Sequence, residues 1–103
     1  MKNLLSDKDC AELFKALADE TRLKIMHSLF DGEKCVTDLM NELCLAQSHV
    51  SHHLKILKVA GIINSKRDGH KICYFLSPQV KNNLSETRRE ALDLGCCEVK
   101  FRV

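Results

Sequence analysis

The chain has 103 residues, of which 45% are hydrophobic, and its formal net charge is only +2. This length suits a single domain with one core, and no apolar run reaches the roughly 18 residues of a membrane-spanning helix. The first residues are charged and amphipathic rather than a signal peptide, so we expect a cytoplasmic protein without a membrane partner. Because the net charge is small, nucleic-acid binding would require cations gathered on one face.

Three amphipathic helices are predicted in the first half of the chain. The first spans about residues 6–18, where apolar side chains follow the i, i+3, i+4, i+7 spacing of one helical face: Cys10, Leu13, Phe14 and Leu17. Asp19 or Thr21 can cap a second helix, which Asp31 and Gly32 end. A short third helix is indicated by a further apolar stripe: Val36, Leu39, Met40 and Leu43.

A fourth helix is predicted over residues 48–60, after a polar turn that includes Gln47. Val50, Leu54 and Leu57 share its apolar side, and His53 projects toward that side. The opposite side is polar and carries no acidic residue; with the turn it comprises Gln47, Ser48, His49, Ser51, His52, Lys55 and Lys58. A shared metal at His49 and His53 is less favoured than DNA contact or packing.

A two-stranded basic wing is predicted next, over about residues 62–77. Asp68 and Gly69 are a strong hairpin signal, and the tip gathers cations: Lys66, Arg67, His70 and Lys71. A final helix is predicted from about residue 79 to 95, with the sparse apolar points Val80, Leu84 and Leu92.

Helices three and four, about residues 36–60, have the layout of a helix-turn-helix, whose second helix enters the major groove of DNA. Ser48, Ser51 and His52 would face base edges. Lys55 and Lys58 could contact bases or phosphates, and the wing cations would neutralise phosphates or reach the minor groove. The alternatives are an ordinary solvated helix face and a winged domain that binds only proteins.

Three segments carry a family resemblance: residues 14–25 (FKALADETRLKI), 48–57 (SHVSHHLKIL) and 60–63 (AGII). Over about residues 10–77 the chain resembles the ArsR/SmtB family of metal-responsive repressors. The resemblance implies a mainly α winged helix-turn-helix over residues 1–103 that is dimeric, paired through its first and last helices. It also implies binding to double-stranded operator DNA with an imperfect inverted repeat, and release when an inducer binds.

Six cysteines are many for this length: Cys10, Cys35, Cys44, Cys73, Cys96 and Cys97. Without a secretory signal we interpret them as reduced thiols that bind soft metals or react, although burial as small hydrophobes is at least as favoured for Cys10 and Cys44. The vicinal pair Cys96 and Cys97 can hold a soft ion such as arsenite, cadmium, lead or mercury, with one more ligand. A structural zinc centre is not expected, since no C-x-x-C occurs.

The resemblance narrows the inducer site. Where family members carry Cys-Val-Cys-Asp-Leu, residues 35–39 read CVTDL, so that site is not expected to be intact. Residues 85–94 contain no histidine, which disfavours the family's zinc site on the last helix. Vicinal C-terminal cysteines resemble a subset of arsenic-responsive members. We therefore predict As(III) or another soft metal ion at Cys96, Cys97 and Cys10, with Cys35 or Cys73 as alternative third ligands.

Other functions are weighed against this one. A thiol switch, in which two cysteines form a disulfide or polysulfide bridge, would use the same atoms. An enzyme is not expected, because there is no glycine-rich phosphate loop, G-x-S-x-G or H-E-x-x-H segment, and no organic cofactor is predicted. A metal-storage or carrier protein would leave the basic wing unexplained.

Overall fold

The computed structural model describes residues 6–84 and 89–102. The four helices are α1 (Asp7–Leu17), α2 (Glu20–Phe30), α3 (Val36–Leu43) and α4 (Gln47–Val59). The first sheet contains β1 (Lys34–Cys35), β2 (Ile63–Asp68) and β3 (Lys71–Leu76). The second contains β4 (Lys81–Leu84), β5 (Arg89–Asp93) and β6 (Glu98–Arg102). None of the helices in the described residues is long and apolar enough to cross a membrane.

The first two helices begin at capping residues that satisfy their otherwise unpaired amide groups. Ser6 Oγ accepts a hydrogen bond from the Asp9 amide at 3.1 Å, and Asp19 Oδ2 accepts one from the Arg22 amide at 3.1 Å. Asp19, rather than the alternative Thr21, is therefore the cap of α2. All four predicted helices are confirmed, and the ends of the first and the fourth agree with the predicted bounds to within one residue.

The core lies where the helical periodicity places it. The apolar side of α4, formed by Val50, Leu54 and Leu57, is fully buried. It packs in one buried cluster with residues from the other helices and the sheets, among them Ile25, Met26, Leu39, Ile62, Ile63, Leu76 and Leu92. Burial of this side leaves the polar side of α4 in solvent.

The wing is an antiparallel hairpin of β2 and β3, in register from Ile63 opposite Leu76 to Asp68 opposite Lys71. Its two-residue turn is Gly69 and His70, and the φ of +65° at Gly69 is one that glycine adopts at no steric cost. The hairpin is therefore confirmed. The sequence did not predict β1, which adds two residues to the outer edge of β3.

The prediction of a C-terminal helix over about residues 79–95 is wrong for the part of that range that the structure describes. The predicted role of this segment in dimerisation stays untested. The chain instead forms an antiparallel sheet in the order β4-β5-β6. Apolar residues are sparse in this segment, so a helix there would bury little apolar surface. Asn82 and Asn83 also have low helix propensity. Residues 85–88 of the predicted helix lie outside the described residues.

Candidate nucleic-acid interface

One face of α4 presents polar and basic side chains to solvent. The side chains that the sequence placed there are all exposed: Gln47, Ser48, His49, Ser51, His52, Lys55 and Lys58. The helix contains no Asp or Glu, so no carboxylate on α4 would repel a phosphate backbone. The structure thus assembles the predicted polar face on a rigid helix whose other side is anchored in the core.

The tip of the wing carries a second exposed group of cations. Arg67, His70 and Lys71 are all exposed around the β2–β3 turn. Together with the polar face of α4 they form a surface that we call the basic face, defined by Gln47, Ser48, His49, Ser51, His52, Lys55, Lys58, Arg67, His70 and Lys71. Cations on a helix and an adjacent hairpin suit contact with a DNA groove and its neighbouring phosphates.

Two contacts fix the wing relative to the helices, and the sequence patterns did not indicate either. Lys58 Nζ donates to Ser65 Oγ at 2.7 Å, which joins the last turn of α4 to β2. Lys66 Nζ lies 2.9 Å from Glu33 Oε2, and the hydrogen bond to this carboxylate raises the pKa of Lys66. Lys66 is therefore paired with a carboxylate, whereas Lys58 contacts a neutral hydroxyl.

His53 lies on the buried side of α4, at the border of the basic face, and it is 7% exposed. This confirms the prediction that it projects toward the buried side. Its ring is 5.0 Å from that of His49 and 5.1 Å from that of His52, measured between centroids. Burial is the main cause that lowers the pKa of His53. Within residues 6–84 and 89–102, no group of three or more potential ligands could hold a metal ion.

Four of the six cysteines are paired, which corrects the interpretation that all are reduced thiols. A disulfide joins Cys10 to Cys96, with 6.3 Å between their Cα atoms. A second joins Cys35 to Cys73 across the β1–β3 ladder, with 4.0 Å between Cα atoms. These pairs are 86 and 38 residues apart in sequence, so local spacing could not reveal them.

The cysteines predicted to bind an inducer are only partly brought together. Cys10, half-buried on α1, meets Cys96, and Cys97 follows it as an exposed free thiol. Because Cys35 and Cys73 pair with each other on the wing sheet, neither is placed as the third ligand. Cys44 is exposed at the end of α3, so the alternative that it is buried as a small hydrophobe is wrong.

Comparison with known proteins identifies the fold's relatives. The family described as "Bacterial regulatory protein, arsR family" matches residues 19–65, from the cap of α2 into β2. A relative named "Cadmium resistance transcriptional regulatory protein CadC homolog", from Staphylococcus aureus, is 37% identical over 92 residues, covering 84% of this chain and 76% of the relative. The chain belongs to the arsR family of bacterial regulatory proteins.

Two further matches agree with membership of the arsR family. The "Arsenical resistance operon repressor" of Escherichia coli is 43% identical over 70 residues, which are 67% of this chain and 60% of that protein. A solution structure described as a homodimeric winged helix-turn-helix DNA-binding domain, from Mycobacterium bovis, superposes with a TM-score of 0.66 at 28% identity, covering 71% of this chain and 73% of that one.

These matches confirm the winged helix-turn-helix fold and a role in transcription regulation through DNA binding. They also confirm that the arsR-family chain is a regulator rather than an enzyme. The family match covers both helices of the helix-turn-helix and the start of the wing, which are the elements that carry most of the basic face. The relatives include proteins named for cadmium and for arsenical resistance, so the matches do not select one ion.

Proposed function

We propose that this protein is a homodimeric transcriptional repressor that is released from operator DNA when a soft metal or metalloid ion, foremost arsenite, binds to cysteine thiolates. The basic face supports the DNA-binding part of this proposal. Ser48, Ser51 and His52 would read base edges, and Lys55, Arg67 and Lys71 would contact phosphates. The operator would be an imperfect inverted repeat, since two-fold symmetry doubles the contacts of one small helix.

A homodimer is supported by a relative of the same fold and by exposed apolar surface. The Mycobacterium bovis domain that superposes on this chain is described as homodimeric. Phe14 on α1 is 47% exposed, which is unusual for a large aromatic side chain. α1 is also the helix through which the family resemblance implies pairing.

The observation that carries the inducer site is the contact between Cys10 and Cys96. These residues are 86 positions apart, yet their sulfur atoms lie within bonding distance, and Cys97 follows Cys96 in the chain. Reduced, Cys10 and Cys96 would present two thiolates at one place. The structure does not gather a group of three ligands in the described residues, so Cys97, the next residue along the chain, would have to turn toward them to supply the third that trigonal arsenite binding requires. Thiolates select soft ions over hard ones, so cadmium, lead and mercury are the alternatives to As(III).

Serine substitution of single cysteines tests this site. The protein, kept reduced, is bound to a labelled duplex from the region upstream of its own gene, and arsenite, cadmium and zinc are titrated against the complex in parallel. We expect arsenite to release the native protein, and Cys10→Ser, Cys96→Ser and Cys97→Ser to bind DNA normally but resist release. Cys44→Ser is the matched control, because Cys44 is an exposed free thiol elsewhere on the chain. Normal release of the Cys96→Ser/Cys97→Ser double variant would exclude the site.

A thiol switch is the second candidate, and the Cys10–Cys96 disulfide favours it. Oxidation of the two thiols by a peroxide or a polysulfide would form the bond, and reduction would restore the thiolates that a metal needs. The two functions therefore require opposite redox states of the same sulfur atoms. Release by oxidant in the absence of metal, with a mass spectrum that links Cys10 to Cys96, would support the switch. Release by arsenite under constant reductant would support the metal site.

A further inference from the structure

One arginine connects three helices of this fold. Arg22 on α2 donates from Nε to the carbonyl of Ala16 at 2.6 Å and from Nη2 to the carbonyl of Lys15 at 3.3 Å. Both carbonyls belong to the last turns of α1, where the Lys15 carbonyl also accepts from the Ala18 amide at 3.3 Å. Nη1 lies 3.2 Å from Nδ1 of His53 on α4. The guanidinium therefore spans the end of α1 and the buried side of α4.

The contact fixes the protonation of His53. A guanidinium nitrogen only donates, so Nδ1 of His53 must accept, and the ring proton sits on Nε2 of a neutral imidazole. A second proton would occupy Nδ1 and point at the guanidinium. Other charged or titratable groups that face the ring are Asp19, whose Oδ2 is 3.8 Å from Nδ1, and His49 and His52 on the same helix.

The charge of Asp19 favours protonation of His53, but burial together with Arg22, His49 and His52 outweighs it, so the pKa of His53 is lowered. Asp19 already caps α2 by accepting from the Arg22 amide at 3.1 Å, so its oxygen is shared. Burial of His53 further disfavours its charged form and lowers its pKa, with the charge of Asp19 acting in the opposite direction. Acidification would thus replace an attractive contact between Arg22 and His53 by a repulsive one.

We propose that Arg22 and His53 are positioning residues for DNA binding, which hold α4 against the end of α1 and require His53 to be neutral. The neighbours of His53 make the location consequential. His52 is adjacent to it and His49 lies one turn before it, and both belong to the basic face. A shift of α4 at His53 therefore displaces the side chains that we propose contact DNA. This inference concerns DNA binding and does not depend on which inducer the cysteines bind.

Acidification tests this proposal, because a charge on His53 and a charge on the other histidines should change DNA affinity in opposite directions. Protonation of exposed His49, His52 and His70 adds positive charge to the basic face and should tighten DNA binding. Protonation of His53 should weaken it. His53→Asn keeps an acceptor near the position of Nδ1 but cannot be protonated in this range, so the ratio of the two dissociation constants isolates His53.

The measurement is fluorescence anisotropy with a duplex that the protein selects from random DNA, at pH 7.5 and pH 5.0 and at constant ionic strength. We expect His53→Asn to bind within about threefold of the native protein at pH 7.5, because a neutral acceptor is retained. The pH is lowered from 5.0 until the ring NMR signals show His53 protonated, and there the native protein should bind at least about tenfold more weakly than His53→Asn, the factor that one lost hydrogen bond supplies. Native protein that carries a protonated His53 and still binds in parallel with His53→Asn would overturn the proposal.

A double-variant comparison distinguishes positioning from general loss of stability. Arg22→Lys keeps the charge but cannot reach both carbonyls and His53 together. We expect Arg22→Lys and His53→Leu each to weaken binding about tenfold. The double variant should bind no more weakly than Arg22→Lys, because the contact that His53→Leu removes is already lost in Arg22→Lys. The folded fraction of each variant is measured by circular dichroism under the binding conditions. Multiplicative losses in fully folded variants would contradict the shared role, and if His53→Leu does not fold, the pH comparison with His53→Asn still decides.

Discussion

The salt dependence of DNA binding follows from which cations on the wing and α4 are free. Lys55, Lys58, Arg67 and Lys71 are exposed, and none of them forms an ion pair within the part of the chain that the structure describes. Lys66, in contrast, is held by Glu33 at 2.9 Å. Each phosphate contact contributes about 0.9 to the slope of log K against log salt, so four contacts give an upper bound of about 3.6 per protomer and about 7 for a dimer.

Lys55→Ala should lower this slope by about 0.9 per protomer, or about 2 for a dimer, because one released counterion per site is lost. Lys66→Ala is the matched control. We expect a smaller change from it, since Lys66 would have to leave its carboxylate before it could bind a phosphate. Glu33→Gln frees Lys66 and should raise the slope. Anisotropy titrations from low to moderate salt measure all four proteins. Equal slope changes for Lys55→Ala and Lys66→Ala would refute the reasoning.

Three further predictions concern folding and are measured by urea unfolding. Leu54→Ala should lower the free energy of unfolding by about 2–5 kcal/mol, because it leaves a cavity beneath α4 where Leu54 is fully buried; a loss below about 1 kcal/mol would mean that the core refills the site. Ser77→Ala removes the 2.9 Å bond from Oγ to the Gly61 carbonyl and should cost about 1 kcal/mol, with Thr in place of Ser77 as a variant that retains the hydroxyl. The pKa of Asp19 is lowered, mainly by the Arg22 amide, so its stabilising effect is present above the unfolded pKa of about 3.9 and is lost as the pH falls through the lower folded value. Asp19→Asn should therefore flatten the acid side of the stability profile, and an unchanged acid limb would contradict this assignment.

The helices and the wing could be predicted because their signals are local and strong. The buried side of α4 repeats at helical spacing, and the hairpin has a glycine at the one position where the turn needs a positive φ. β1 could not be predicted, because a two-residue strand has no periodicity and exists only through its pairing with β3. The C-terminal segment failed for a related reason, since few apolar residues leave its structure to be decided by distant contacts.

The candidate site also has a part that could be predicted from the sequence and a part that could not. The basic face could be predicted, since a helix with one apolar side must turn its polar side outward. The roles of Arg22 and Glu33 could not, because each depends on a partner brought from another element by the fold. The cysteine pairs could not be predicted for the same reason. Six cysteines allow many connectivities, and only the folded structure shows that Cys96, in the β5–β6 turn, meets Cys10 on α1.

The structure also indicates how large the free energy of coupling between inducer binding and DNA binding needs to be. α1 links the proposed inducer site to the buried side of α4, because it carries Cys10 near its start and accepts from Arg22, the partner of His53, through the carbonyls of Lys15 and Ala16 near its end. Allosteric coupling of about 1–3 kcal/mol changes DNA affinity by about 5- to 150-fold. A hydrogen bond to a charged group contributes about 1.5–3 kcal/mol. If inducer binding moves α1 enough to break one of the Arg22 contacts, that loss alone supplies the coupling that release from an operator needs, without rearrangement of the core beneath α4.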